Sequence, residues 1–522
     1  MNGRAQRRNL PLMTPGNRPP DACDVLVAGA GPVGLFLALL LRTRGHAVRI
    51  VEARAVPSGA SKALAIMPRT LEEFRIAGIS APFENAGLRV TAAAVMAREG
   101  VLARLPVEPE GSWFDYVAMI PQNVTERILR ERLADVGGTI EFGTELVGLV
   151  DGPDGVAVRL RTAAGEKRCT ARYVVGCDGA DSAVRQLIGF GFEAGARWDL
   201  FAVFDVELVG QMPPAELAIF PHVAGPLGIF PLDEKRWRLV AKLRRSDVAE
   251  PTLDFANELI GQRGPWDLGA TKLHWGALLN LDRRNAPGMH KGSIFLAGDA
   301  AHVHSPLGGQ GLNLGLGDAF NLAWKLDYAI AGYGMRQLFP SYSAERDRVA
   351  KQALRAIALL SNTMGARNLL ARGIRDYLTP RVTENRAFRR AFASQLTGLG
   401  IKYDRSPIVD GVGRHAPDES VRAPGRERRL YDVLAGRYVI VVPASAPAIV
   451  VAAFDNFAHH YGGALSSLVA DEPGEPVVRL VRPDGYLALE AALSGDDPTP
   501  VLERASAVLG THVRRLGPRV RA

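Results

Sequence analysis

Cysteine is scarce in this chain of 522 residues, with only Cys23, Cys169 and Cys177 present. Their spacing suits neither a disulfide framework nor a metal site, so the sequence reads as that of a reducing, cytoplasmic compartment rather than of a secreted, disulfide-stapled protein. None lies beyond residue 177, which excludes dithiol chemistry from the C-terminal half. A membrane helix needs roughly 18 consecutive apolar residues, and the longest apolar run, around residues 35–41, falls far short. Residues 1–20 carry four Arg and four Pro but no apolar centre, so they read as a disordered arm and not as a signal peptide. Aromatics are only 7% of the chain, and the formal net charge of +8 is scattered among acids, as in Glu345-Arg346-Asp347-Arg348. That pattern fits solvated helix faces, excludes a nucleic-acid groove, and leaves a field able to draw in anionic small molecules. His302 and His304 lack a Cys or acid partner at ligand spacing, so no metal site is expected.

What is abundant is apolar residues and glycine. At 47% hydrophobic the chain can bury large cores, and its length suits about three domains. Residues 23–28 form an apolar strand that runs through Gly29-Ala30-Gly31-Pro32-Val33-Gly34 into a helix over 35–44, stopped by Gly45. A second strand, 47–51, ends in Glu52, near the distance of about 20 residues at which a ribose-binding acid follows such a loop. Gly29 would allow the tight turn, Gly31 would admit a pyrophosphate, and Gly34 would let helix and strand approach. Glu52 can accept from a ribose 2′-hydroxyl and would repel a 2′-phosphate, which favours FAD or NAD over NADP at this site.

Far downstream, residues 292–297 read as a strand, and Gly298-Asp299 follows as a turn whose carboxylate can accept from sugar hydroxyls. Gly308, Gly309 and Gly311 would let main-chain N–H groups approach a flat ligand, and a helix over 312–330 starts there with its dipole aimed at the loop. A Gly-rich surface turn before an ordinary helix is the plainer alternative. A third stretch, Tyr173-Val174-Val175-Gly176-Cys177-Asp178-Gly179-Ala180-Asp181-Ser182-Ala183-Val184-Arg185, reads as a strand, a polar turn, and a helix capped by Ser182.

Together these three stretches resemble the FAD-dependent aromatic hydroxylases of the para-hydroxybenzoate hydroxylase type, the single-component flavoprotein monooxygenases, over most of residues 22–400. The resemblance implies an α/β fold in which a Rossmann-like FAD-binding domain is interleaved with an antiparallel-sheet substrate domain. It implies that Gly29, Gly31, Pro32, Val33, Gly34, Glu52, Ala53 and Arg54 surround the ADP half of FAD. Asp299 would hold the ribityl chain, Asp178 and Arg185 would serve FAD and the reduced nicotinamide, and Gln122 would reach the sugar chain. Pro306, Gly309, Gln310, Gly311, Leu312 and Asn313 would lie along the flavin ring. Lys62 stands where the family usually has Arg, giving a point charge in place of a bidentate fork.

The implied activity is NADPH- or NADH-driven reduction of FAD, formation of a flavin C4a-hydroperoxide with O2, and hydroxylation of an aromatic substrate, phenolic or polyketide-like and bulky. A Baeyer–Villiger oxygenase on the same scaffold and a redox-inactive flavoprotein serving as a binding module are the alternatives. The Trp-x-Trp-x-x-Pro segment of flavin-dependent halogenases is absent. No catalytic acid or base emerges.

The resulting organisation is an arm (1–20), an FAD-binding part (21–198, with 91–115 contributing to the substrate domain), a substrate domain (199–284), a second FAD-binding part with helices (285–404), a linker (405–428) and a C-terminal unit (429–522). Strands are expected at 200–208, 216–220, 227–231, 237–243 and 272–278, alternating with turns as in an antiparallel sheet. Phe220, His222 and Phe230 are the substrate-pocket candidates there, with core packing the alternative for each. The C-terminal unit resembles the thioredoxin-like tail of the phenol and polyketide hydroxylase branches, without redox cysteines; support for packing or for a homodimer is its expected role. Its strands are expected at 438–442, 449–454, 477–481 and 486–491, and a final helix at 500–509. Gly411-Val412-Gly413 precedes Pro417 and is not expected to form a second dinucleotide site.

Overall fold

The computed structural model describes residues 21–515 apart from 60–62, 98–99, 110, 193–197, 213–215, 245–248, 283, 304–308, 365–380, 382, 412, 424–425 and 472–473. The arm at 1–20, Lys62, His304 and Pro306 therefore lie outside the described residues.

The first sheet is built on the strands Ile294–Leu296, Gly165–Gly176, Ala22–Ala28, Val48–Glu52 and Ile140–Phe142, adjacent in that order and all parallel. Their centres are unbroken apolar runs, such as Val25 to Val27 and Val174 to Val175, buried on both faces as a central parallel sheet requires. The helix Pro32–Thr43 begins with Pro in its first turn, where no N–H is lost, and packs against Gly311–Ile330, Phe36 stacking on Phe320 at 5.9 Å. Among the described residues no helix is long and apolar enough to cross a membrane.

A second sheet has seven strands in the order Gly269–Asp282, Trp198–Val209, Arg236–Leu243, Leu227–Pro231, Glu216–Phe220, Ala92–Ala97 and Gly100–Pro106. All neighbours are antiparallel except Glu216–Phe220 with Ala92–Ala97. Period-two alternation divides its faces. Ala202, Phe204, Ile229, Leu239 and Ala241 pack on one side against Phe255, Ala256, Leu259 and Ile260 of the helix Leu253–Arg263. Phe201, Val203, Val240, Phe230, Trp275 and Leu279 occupy the other. The helix Leu253–Arg263 is not among the expected elements; Thr252 caps it by accepting from the N–H of Phe255.

The C-terminal sheet departs from the sequence expectation in two places. Residues 449–454, expected as a strand from their β-branched content, lie in the helix Ala448–His459. Tertiary packing overrides the local preference: Val450, Phe454 and Ala458 share one buried helical face while Ile449 is 73% exposed. The stretch 405–428 is not a free linker either. Ser420–Ala423 and Arg426–Arg429 form a hairpin on the sheet edge, Ser406 and Ile408 are buried, and the arginines answer acids, Arg422 to Asp471 at 2.8 Å and Arg414 to Glu490 at 2.9 Å. The strand order is Arg426–Arg429, Ser420–Ala423, Leu465–Ala470, Tyr438–Val442, Val477–Val481 and Leu487–Ala492. Only Tyr438–Val442 and Leu465–Ala470 are parallel, joined through the helix Ala448–His459; the helix Thr499–Gly510 follows the last strand.

In this unit His512 is fully buried between Tyr438 Oη, 2.7 Å from its Nε2, and Thr511 Oγ1, 3.0 Å from its Nδ1. Burial, with Arg482 and Lys325 nearby, depresses its pKa to about 3. A histidine held neutral in the fold but free to protonate once unfolded contributes stability above about pH 6.5 and loses it as the pH falls toward 3. At pH 5 the loss from His512 is about 2 kcal/mol. Glu73, whose carboxyl burial pushes up to about 7, acts in the opposite direction over the same range, stabilising as the pH falls below 7. Melting at pH 7 and pH 5 is therefore expected to show a smaller acid loss in His512→Asn than in the parent. Equal losses in the two proteins would contradict this reading.

Candidate active site

Register brings the separate motifs to one place. Ala28, Gly176 and Leu296 are side-by-side partners across three parallel strands, and Val51 pairs with Ala28 on the other side. The loops that follow therefore all leave the same carboxyl edge of the sheet: the glycine loop after Ala28, the Asp178 turn after Gly176, the Asp299 turn after Leu296, and Glu52 itself. In doubly wound sheets this edge is where ligands bind.

The three glycines of the loop differ in their surroundings. A Cβ on Gly34 would overlap the carbonyl oxygen of Gly29, and one on Gly29, whose φ is +100°, would overlap that of Cys177. A Cβ on Gly31 would meet nothing within 4 Å among the described residues. Gly31 thus opens on space at a helix N-terminus that no side chain caps. Val33 lies against Gly298 and Gly315, so Pro32 and Val33 bring the first turn of the helix up to the Asp299 turn. Glu52 Oε2 accepts from the N–H of Ala30 at 2.9 Å, and Oε1 from Arg54 Nε at 2.8 Å and the Arg54 N–H at 3.1 Å. Burial would raise its pKa, but these donors prevail and hold it below the usual carboxylate range. Ala53 is exposed beside it.

In the second turn Ser182 caps the helix Ala183–Leu187 by accepting from the Arg185 N–H at 2.9 Å. Asp178 Oδ2 accepts from the Val184 N–H at 3.1 Å, whereas its buried Oδ1 has no hydrogen-bond partner among the described residues. Burial pushes this carboxyl up. Arg185 ties two motifs together, donating to the carbonyls of Ala180 at 2.8 Å and Ala300 at 3.1 Å. In the third, Asp299 is exposed while Gly298 and Ala300 on either side are buried, so the turn presents its carboxylate outward.

The ring-side candidates are partly engaged with the protein itself. Asn313 accepts from the Met67 N–H at 2.9 Å and donates to the carbonyls of Ala65 at 2.9 Å and Gly309 at 3.0 Å. It clamps the segment around Ala65 to Met67 onto the helix Gly311–Ile330. Gln122 opens the helix Gln122–Asp135, accepts from the Ala63 N–H at 3.2 Å and donates to Glu126 at 2.9 Å. Gln310 donates to the carbonyl of Gln395 at 3.0 Å, joining the Gly309–Leu312 stretch to the helix Arg386–Thr397.

The pocket candidates fall on different faces of the second sheet. Phe230 is half-buried with Leu64, Ala65, Met67, Leu217 and Met119, and a Cβ on Gly309 would lie 3.4 Å from Met67. This face looks toward the helix Gly311–Ile330. Phe220 does not: it is 1% exposed in the core against the helix Leu253–Arg263, because it shares parity with Ala218 rather than with Leu217. His222 belongs to the turn after that strand, where its Nδ1 accepts from the Ala224 N–H at 3.2 Å.

Sequence reasoning missed four contributors to the pocket face: Phe392, Leu396, Arg238 and Asp205. Phe392 and Leu396 of the helix Arg386–Thr397 pack into the same cluster as Phe230 and Met67. Arg238, 2% exposed, makes a bidentate pair with Asp205 at 2.7 and 2.8 Å. Asp205 and Arg238 alternate in phase with Val203 and Val240, so strand parity was the available signal. Among the described residues no group of His, Cys, Asp and Glu could hold a metal ion.

This edge fits a dinucleotide with a flat head group: an uncapped helix N-terminus beside an open glycine for a pyrophosphate, carboxylates at Glu52 and Asp299 for hydroxyls, and an orphan oxygen at Asp178. Comparison with known proteins agrees. Residues 22–357 match the model of a family described as FAD binding domain. A rifampicin monooxygenase of Streptomyces venezuelae is 31% identical over 495 residues, spanning 93% of this chain and 98% of that protein. The solved structure of the anhydrotetracycline hydroxylase OxyS from Streptomyces rimosus superposes with a TM-score of 0.77 at 27% identity, covering 93% of this chain and 99% of the other. An aklavinone-11 hydroxylase solved with FAD and aklavinone superposes at 0.76 with 25% identity, covering 94% and 99%.

Proposed function

The chain belongs to the FAD binding domain family and is an FAD-dependent monooxygenase, and from that premise we propose that it hydroxylates a bulky aromatic, polyketide-like small molecule, drawing electrons from NADPH or NADH and oxygen from O2. The observation that carries this reading is the meeting of four loops at one sheet edge, with Phe230 of the second sheet in one cluster with Ala65 and Met67, the segment that Asn313 holds to the helix Gly311–Ile330. The named relatives and structural neighbours are a rifampicin monooxygenase, an anhydrotetracycline hydroxylase and an aklavinone-11 hydroxylase solved with aklavinone, which supports the substrate class. Baeyer–Villiger oxygenation and a redox-inactive binding role are not favoured by any of these.

When bound, FAD supplies hydride acceptance and oxygen activation. The rest of the work falls to the chain. Gly31 and the N-terminus of Pro32–Thr43 would take the pyrophosphate, Glu52 a ribose, and Asp299 the ribityl hydroxyls. Gly309, Gln310, Gly311 and Leu312, at the start of Gly311–Ile330, would give the ring amide N–H groups and the positive end of a helix dipole. Phe230, Trp275, Leu279, Phe392 and Leu396 would pack against the substrate and exclude water. Proton traffic is left to substrate and solvent, so no side chain is assigned as acid or base. His222 is kept as a rim contact. The C-terminal unit is read as thioredoxin-like from its parallel β-α-β piece, antiparallel hairpin and final helix, and a homodimer and a cytoplasmic site remain part of this reading.

A panel of aromatic compounds of graded size, scored for stimulated NADPH consumption and for gain of one oxygen by mass spectrometry, tests it. Fused multi-ring phenols are expected to stimulate consumption well above simple phenols. Stimulation confined to single-ring phenols, or absent throughout, would contradict it.

A further inference from the structure

The helix Gly311–Ile330 carries one fully buried carboxylate that touches no cofactor position yet holds the turn that does. Asp318 Oδ2 accepts from the backbone N–H of Gly298 at 3.0 Å and from His302 Nε2 at 2.6 Å, and Oδ1 accepts from Arg346 Nε at 2.6 Å. Gly298 begins the turn that exposes Asp299, and His302 closes it. One carboxylate therefore fixes both ends. Close approach is built in: a Cβ on Gly315 would come within 2.7 Å of Val33 and 3.1 Å of Gly298 Cα.

Asp318 is in turn held by an arginine with no freedom left. Arg346 also donates to Tyr403 Oη at 3.0 Å and to the Leu314 carbonyl at 2.9 Å, and is 2% exposed. Its neighbour Glu345 is gripped from the C-terminal unit. Arg482 donates to Glu345 Oε1 at 2.7 Å and Oε2 at 2.9 Å, and to Asp484 at 3.0 and 2.6 Å. Lys325, Asn321 and Ser406 complete the shell of Glu345, and Trp324 Nε1 donates to Asp484 at 3.1 Å. Arg482 and Lys325 are completely buried, and Glu345 and Asp484 are 2% exposed. Buried ion pairs add little net stability compared with apolar packing, so a chain of them in which each charged group meets an opposite charge fits a geometric task.

We propose that Asp318 is a positioning residue for the flavin end of the site, and that the C-terminal unit keeps it in place through Arg482, Glu345 and Arg346. This rests on the reading that the Asp299 turn holds FAD. The C-terminal unit is then a brace for the cofactor site rather than an appendage, and a change in its hairpin is felt at the flavin.

The test uses the full chain, stripped of flavin and titrated with FAD, in Asp318→Asn, Arg482→Met and the double variant, with melting of the flavin-free proteins and the visible spectrum of the bound flavin recorded alongside. Asp318→Asn is expected to weaken FAD binding about tenfold and to alter the visible flavin bands; Arg482→Met is expected to weaken it about threefold to tenfold from the far side of the network. The double variant is expected to bind no worse than Asp318→Asn alone, because both act through one carboxylate. Arg482→Met that lowers the melting temperature but leaves FAD affinity and spectrum unchanged would overturn the proposal, as would fully additive losses. Should Arg482→Met fail to fold, Arg482→Lys, which keeps a charge in the C-terminal unit but loses the paired bonds to Glu345, carries the same test, with weaker FAD binding expected and unchanged affinity overturning it. Failure of the parent chain itself to take up FAD would instead sink the underlying reading of the Asp299 turn.

Discussion

Replacing Asp299 by alanine is expected to give a folded protein that purifies nearly colourless. The residue is exposed at the tip of a turn whose neighbours are buried, so the substitution removes an outward-facing carboxylate and little packing. Hydrogen bonds to a charged acceptor contribute about 1.5–3 kcal/mol each, so losing those to the ribityl hydroxyls is worth about tenfold to a hundredfold or more in affinity. Flavin content by absorbance after purification, and melting of the flavin-free protein, check both halves. A yellow protein with full flavin would remove Asp299 from the site, and a large drop in the melting temperature of the flavin-free form would make its role structural.

The second large effect is a contrast between two glycines three residues apart. Gly34→Ala forces a Cβ into the carbonyl oxygen of Gly29 and to 3.2 Å from Cys177 Cβ, where backbone and not a pliable side chain must move. Overpacking at such a position costs about 1–3 kcal/mol or more, and the glycine loop shifts with the helix, so both stability and FAD binding are expected to fall. Gly31→Ala places its methyl in open space, leaving the fold intact, but occupies the approach that a pyrophosphate needs. Its expected result is an unchanged melting temperature for the flavin-free protein and FAD affinity at least about tenfold weaker. Equal behaviour of the two variants would show that the glycines do not divide their work in this way.

The contrast also marks what local sequence can reveal. The glycine loop, its strand and helix, and Glu52 are legible because the constraints act between residues close along the chain. Ser182 as a cap and Asp299 after a strand are legible for the same reason. Faces were harder to read. Phe220 and Phe230 are both aromatic residues on strands of one sheet, yet opposite parity sends the first into the core with Phe255 and the second toward Met67. Residues 449–454 misled because β-branching is a weak preference, and the buried face of Val450, Phe454 and Ala458 depends on a sheet formed by other segments. The stretch 405–428 looked like a linker because arginines that meet partners such as Asp471 and Glu490 in space have no visible partner in sequence. The Asp318 network was least legible, since its donors come from residues 298, 302 and 346. A signal was nonetheless present: Asp318, Asn321 and Lys325 recur at helical spacing through an otherwise apolar helix, and buried polar groups at such spacing need partners.

The central claim is that this chain places one oxygen atom on an aromatic ring held between the second sheet and a flavin at the carboxyl edge of the first. The most direct measurement is to run the strongest compound of the aromatic panel with NADPH under isotopically labelled O2 and locate the label by mass spectrometry and NMR. One labelled oxygen on a ring carbon, as a new phenolic hydroxyl, is the expected result. NADPH consumption that yields only hydrogen peroxide, or label inserted between a ketone carbon and its neighbour, would contradict the account.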